Sequence, residues 1–216
     1  MQPVAFFDLD YTLLDVDSEE LWCDFLAGHG WVDSAFVRKI NEYYEAYQSG
    51  EMDFLVFEEY LLQPIAKIPA ETLMALQKKY LLRLDAHVSQ TMMSKVEWHR
   101  TQGHQLLLIT ASNSFLAQPI GERLGFQNII STEVERVNGA ITGRIIGTPA
   151  FREGKPKRLE SWMAERGLSF AGSWGYSDSH NDLPLLELVE HPVAVRPNAT
   201  LESYAREHKW EIIRDL

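Results

Sequence analysis

The sequence predicts an α/β protein: a doubly wound parallel sheet with an all-helical segment inserted directly after its first strand. Three observations predict it. Short apolar runs such as Val4-Ala5-Phe6-Phe7 and Leu106-Leu107-Leu108-Ile109 lack polar alternation, as strands buried on both faces do. From residue 89 onwards these runs alternate with stretches of helical period. Between residues 15 and 85 only the helical period is present. The expected division is a core of residues 1–14 and 86–216, with a helical cap of residues 15–85.

Element by element, the first strand is the run ending at Phe7. Leu21, Trp22, Phe25 and Leu26 then share one helix face, with Ser18 as the expected N-cap. Phe36, Val37, Ile40, Tyr43, Tyr44 and Tyr47 carry a second helix up to Gly50. A third runs from Asp53 to about Pro64, and a fourth starts near Pro69 with Leu73, Leu76, Tyr80 and Leu81. A helix over about 89–102 ends at Gly103, a favoured C′ residue. Residues 105–110 form the second buried strand, and Ser112 or Asn113 caps a helix through Leu124. Ile129-Ile130 is a short strand. Residues 133–146 read as a hairpin around Asn138-Gly139. A helix over 157–166, a strand over 172–177, a helix over 183–189, a strand over 193–195 and a closing helix and strand complete the alternation.

Composition narrows the function classes. The 216 residues suffice for one α/β domain with a small accessory unit. A net charge of -11 argues against a nucleic-acid surface, which needs clustered Lys and Arg. The single cysteine, Cys23, excludes an internal disulfide framework and fits a reducing compartment. No apolar stretch approaches a membrane span, and Asp8 falls where the apolar core of a secretion signal would run. The expectation is a cytoplasmic protein acting on a small molecule, with neither a nucleic acid nor a membrane as partner. Oligomeric state is not legible.

Four polar clusters fall at strand or helix ends. Asp8-x-Asp10-x-Thr12 follows the first strand, and Thr110-Ala111-Ser112 follows the second. Gly154-Lys155 opens a helix, and Ser177-Asp178-Ser179-His180-Asn181-Asp182 follows a later strand. In open α/β sheets, ligands bind at the carboxyl ends of strands. Two carboxylates two residues apart beside a core repel each other and are costly, so a cation or a reaction accounts for them. Each cluster also has a plainer reading. Asp8 and Asp10 alone fit a solvated turn, Thr110 a strand-end residue, and Asp178 and Asp182 a capped helix start. Lys157 rivals Lys155. A P-loop reading of Gly154-Lys155 fails, because Pro156 follows and Pro149 stands where the first glycine belongs. His180 reads as a solvent-facing residue, Cys23 and Trp22 as core, and the histidines lack zinc spacing.

Together and in this order, the four clusters resemble the motifs of haloacid dehalogenase superfamily phosphatases. The resemblance is to the phosphoserine phosphatase branch, with a helical cap after the first motif. Asp17-Ser18-Glu19-x-x-Trp22 and the run from Tyr176 to Leu186 resemble the bacterial histidinol-phosphatases of that branch. The resemblance implies that Asp8 is a nucleophile forming an aspartyl-phosphate and that Asp10 serves as acid and base. Lys155 would neutralise the phosphate. Thr110 and the backbone N–H groups of Ala111 and Ser112 would hold its oxygens. Mg²⁺ would be bound by Asp8, the Asp10 backbone carbonyl and Asp178, with Asn181 and Asp182 behind those ligands.

The cap departs from phosphoserine phosphatases. Alignment from the first motif puts Asp17 where they read the substrate ammonium. Glu59 falls at or near the place of their carboxylate-binding arginine, and no arginine lies between Lys39 and Lys67. Asp17 and Glu59 would favour a phosphorylated amine lacking a carboxylate, such as L-histidinol phosphate. Phosphoserine hydrolysis, and phosphoryl transfer to an acceptor alcohol, remain open alternatives.

Overall fold

The computed structural model describes residues 2–49 and 52–214. Its main sheet has six strands in the order β3-β2-β1-β6-β7-β8, all pairs parallel. The strands are β1 Val4–Phe7, β2 Gln105–Asn113, β3 Ile129–Thr132, β6 Trp174–Ser177, β7 His191–Val195 and β8 Glu211–Ile213. The strand order turns around β1, with β2 on one side and β6 on the other. Two further strands, β4 Val134–Val137 and β5 Ala140–Ile145, form a separate antiparallel hairpin. Asn138 and Gly139 at its tip both have positive φ, 52° and 82°, which matches the twist of a two-residue hairpin.

Alternation along the strands explains why both faces are covered. Ala5, Phe7, Leu108, Tyr176 and Val193 belong to one apolar cluster, whereas Val4, Phe6, Leu107, Ile109 and Ala194 belong to the other. Helices α5 Gln90–Thr101 and α6 Ser114–Arg123 pack on the first face through Met92, Val96, Leu116 and Ile120. Helices α7 Gly154–Glu165, α8 Leu183–Leu186 and α9 Ala199–Glu207 pack on the second through Leu159, Met163, Leu185 and Leu201. Burying Phe6 and Phe7 on opposite faces contributes about 1.5–3 kcal/mol each. Gly175 makes room for Phe6, since a Cβ there would lie 2.4 Å from its ring.

Helices α1 Ser18–Gly28, α2 Ser34–Ser49, α3 Phe54–Ile65 and α4 Ala70–Leu84 fill the interval between β1 and α5. Trp22, Ile40, Phe57 and Tyr80 extend the first apolar cluster into this unit. The chain leaves and re-enters the core side by side: Asp15 donates its N–H to the His87 carbonyl and Ser89 donates to Leu13, at 2.9 Å each. The hairpin leans on α3, where Gly143 faces Ala66. Among the described residues no helix is long and apolar enough to cross a membrane.

Several boundaries differ from expectation. The N-cap of α1 is Asp17, not Ser18, because its carboxylate accepts from the N–H groups of both Glu19 and Glu20. The second strand runs past Thr110 to Asn113, and Asn113, one of the two expected caps, starts α6 at Ser114. Helix α7 starts at Gly154, three residues earlier than expected. A side chain at Gly154 would place Cβ 1.9 Å from the Pro149 carbonyl oxygen, so only glycine lets the helix start there. Strand β6 begins at Trp174, because Gly172 turns with φ +70°. Helix α8 spans only four residues before the chain turns back into β7. Gly50, the expected end of the second helix, lies outside the described residues.

Candidate active site

The carboxyl ends of β1, β2 and β6 open on a cavity of about 330 Å³, roofed by α1, α2 and α3. Its lining includes Asp8, Asp10, Asp17, Thr110, Ala111, Ser112, Lys155, Asp178, Asn181 and Asp182. Nine expected core residues and one of the two expected cap residues thus meet in one place. A second hollow, about 600 Å³, opens at the amino ends of β6, β7 and β8 and holds none of the four motifs.

Asp8 is the first residue past β1, fixed by its N–H bond to the Tyr176 carbonyl at 2.9 Å. The chain then makes a single wide turn over Leu9–Leu13, with Tyr11 at φ 53°. Arg196, at the end of β7, donates to the backbone carbonyls of Tyr11, 2.7 Å, and Leu14, 2.5 Å, and so braces this turn. The result is that Asp8 and Asp10 face the same cavity from one short loop.

Lys155 is buried with its ammonium 2.8 Å from Asp8 and 2.7 Å from Asp182, and Ser177 donates to the same Asp182 oxygen at 2.7 Å. Burial works to lower the Lys155 pKa, but the Asp182 and Asp8 charges outweigh it and hold the ammonium charged. Lys157, the rival, is exposed. Burial pushes Asp8 up to about 6, against the pull of Lys155. Asp178 is raised by burial and by the Asp8 and Asp182 charges.

Asp10 is held differently. It accepts from the Ser18 N–H at 2.7 Å and from the Ser112 hydroxyl at 2.5 Å. Burial, reinforced by the Asp17 charge, pushes it up to about 8, so its protonated form is populated near neutral pH. Thr110 donates its hydroxyl towards Ser112 at 3.1 Å and accepts the Ser112 N–H at 3.1 Å. That N–H is therefore engaged within the loop, and Ser112 serves to orient Asp10, a link the sequence reading did not contain.

The donor atoms available for a metal are all oxygens, which suits a hard cation. Among the described residues no three His, Cys, Asp or Glu side chains gather as a metal-binding group. Two carboxylates, Asp8 and Asp178, with a backbone carbonyl and water fit Mg²⁺, which keeps several waters; they do not fit a closed zinc site.

In the cap, Asp17 lines the cavity, and one of its oxygens already accepts from Glu19, Glu20 and the Tyr44 hydroxyl, the last at 2.8 Å. Glu59 corrects the sequence reading: it is exposed and absent from the lining. Its neighbour Glu58 turns inward and is fully buried, in line with Phe57, Leu61, Leu62 and Ile65. Glu19 is also buried and lines the cavity. The i, i+3, i+4, i+7 stripe of the third helix would have picked out Glu58 over Glu59. Glu19 stands in the Asp17-Ser18-Glu19-x-x-Trp22 pattern, which assigned it no place in the cavity. His180 is exposed, and Trp22 and Cys23 are core, as expected.

This arrangement of two carboxylates on one strand end, a buried lysine and a later acidic loop defines a class. The chain belongs to the haloacid dehalogenase-like hydrolases, which match residues 5–187. Within that family it is a phosphatase. It is 39% identical to a histidinol-phosphatase of Neisseria meningitidis serogroup C over 99% of both chains. It is 41% identical to phosphoserine phosphatase SerB1 of Mycobacterium tuberculosis, over 54% of this chain and 38% of that one. A Bordetella pertussis Tohama I protein of unknown function superposes with a TM-score of 0.91 at 37% identity, over 99% of both chains. A substrate-bound phosphoserine phosphatase shares the fold, with a TM-score of 0.74 at 15% identity.

Proposed function

We propose that the protein is a Mg²⁺-dependent phosphomonoesterase that works through an aspartyl-phosphate on Asp8, with residues 15–85 as a cap over the reaction. The observation that carries this is the buried Lys155 bridging Asp8 and Asp182 at the mouth of β1. A phosphate monoester repels an anionic nucleophile, and a fixed ammonium offsets that repulsion. An Asp8 oxygen attacks phosphorus as the ester P–O bond breaks. Asp10, held protonated, gives its proton to the leaving oxygen and then takes one from the water that cleaves the acyl phosphate. Lys155 holds the phosphoryl oxygens, and Thr110 joins it once its hydroxyl turns away from Ser112. Mg²⁺, held by Asp8, Asp178 and the Asp10 carbonyl, would supply charge neutralisation at the phosphate.

The substrate we infer is a phosphorylated amine without a carboxylate, of the kind of L-histidinol phosphate. Among the described residues the cavity lining has no arginine, and Arg152, next to the lining residue Phe151, is engaged with Asn181 at 3.3 Å. A panel of phosphomonoesters with Mg²⁺ tests this. The expected result is that histidinol phosphate exceeds phosphoserine in kcat/KM, and that chelation abolishes both. Faster phosphoserine hydrolysis would contradict the substrate assignment.

A further inference from the structure

We propose that Glu19, with the buried Glu58 behind it, is a specificity-determining residue: Glu19 lines the cavity that holds Asp8 and selects a leaving group bearing a positive charge. The proposal rests on the phosphatase reading above and replaces Glu59 as the charge-selecting residue.

The two carboxylates come from different cap helices, α1 and α3, and converge on one core residue. Glu19 accepts from the Asn113 backbone N–H at 2.8 Å and from its side-chain amide at 2.5 Å. The same amide reaches Glu58 at 3.3 Å. The other Glu58 oxygen meets no N–H or hydroxyl donor, and the Glu58 carboxyl is hydrogen-bonded to Glu19 itself. Neither carboxylate has a Lys, Arg or His within ion-pair distance among the described residues. Lys155, the sole lysine or arginine of the lining, is committed to Asp8 and Asp182.

A buried carboxylate pair without a counter-ion is strongly unfavourable, and it persists only if something else supplies positive charge. Glu19 reaches the cavity, so that charge can arrive with a ligand. In the free protein a proton takes its place: burial, with the neighbouring Glu58 charge, holds Glu19 well above the usual carboxylate range, and burial pushes Glu58 up to about 8. The other titratable groups facing the pair are Asp17, Asp10, Cys23, Tyr44 and Tyr80, none of which supplies a positive charge. Tyr44, Phe54 and Phe57 from the cap and Phe151 from the core give the same space flat apolar walls. A compact ammonium or imidazolium fits such a space, whereas a carboxylate would meet like charge.

The test compares two phosphate esters of equal size, one with an ammonium and one with a hydroxyl in its place, and p-nitrophenyl phosphate as a control. Wild-type enzyme should prefer the ammonium ester by at least about tenfold in kcat/KM. Glu19→Gln and, independently, Glu58→Gln should each reduce that preference by about tenfold through KM for the ammonium ester, leaving the other two substrates within about twofold. Glu59→Gln should leave the preference unchanged. A preserved preference in both inward variants overturns the proposal. So does a parallel loss on all substrates, which would mark a purely structural tie to Asn113.

Calorimetry needs neither a variant nor turnover. Binding of histidinol to the wild-type protein near pH 7, in buffers of different ionisation enthalpy, should release a proton as the ammonium displaces it. No release overturns the proposal. Absence of hydrolysis of every ester by wild type would instead overturn the phosphatase reading, and the calorimetric result would still decide the role of the pair.

Discussion

Lys155 joins two buried carboxylates, and the cost of removing it follows from what it leaves behind. A buried ion pair adds little net stability, but breaking one strands its partners uncompensated. Lys155→Met should therefore lower stability near neutral pH by about 3–5 kcal/mol, read as a fall in urea midpoint, while abolishing turnover. A variant as stable as wild type would contradict the buried geometry at Asp8 and Asp182. At this scale the sequence was legible where residue type and chemistry coincide. Asp8, Asp10, Lys155 and Asp178 meet in one cavity, as expected from their positions at strand and helix ends. Glu59 was misplaced by one residue, since counting along an alignment ignores which helix face points inward. The tie of Glu19 to Asn113 and that of Ser112 to Asp10 were not legible, because these partners lie 94 and 102 residues apart in the chain.

Among the elements, α5, β2 and β6 meet at a buried histidine. His99 lies 2.7 Å from His104 and 2.8 Å from the Tyr176 hydroxyl, and its ring packs against Trp174 at the start of β6. Burial, with the neighbouring His104, pulls it down to about 3. Its unfolded value is the ordinary 6.5. Between those values the unfolded chain binds a proton that the folded chain refuses, so His99 makes stability fall as pH drops through this window. The slope from one such group is at most about 1.4 kcal/mol per pH unit. His99→Gln should lose stability less steeply on acidification from pH 6.5 towards 4, by urea titration at each pH. An unchanged slope would contradict the neutral, buried state. Element boundaries were legible where side chains enforce them, as at Asn138-Gly139 and Gly103. They were not where a tertiary approach decides, as at Gly154 against Pro149 or in the run of β2 past Thr110 to Asn113.

For the whole molecule, the alternation of apolar runs and helices foretold the parallel sheet. The break in that alternation foretold the helices above its carboxyl edge. What no local pattern could convey is that one apolar cluster runs from Phe7 through Trp22 to Tyr80, so the cap unit and the sheet share packing. That continuity brings Glu19 of α1, with Glu58 of α3 behind it, to the cavity that Asp8 and Asp10 line. The central claim is that the phosphoryl group passes through Asp8. Rapid acid quench during steady-state turnover, followed by peptide mass analysis, tests it most directly. A single phosphoryl adduct on Asp8 is expected, absent in Asp8→Asn along with all turnover. An adduct on another residue, or unimpaired turnover by Asp8→Asn, would contradict it.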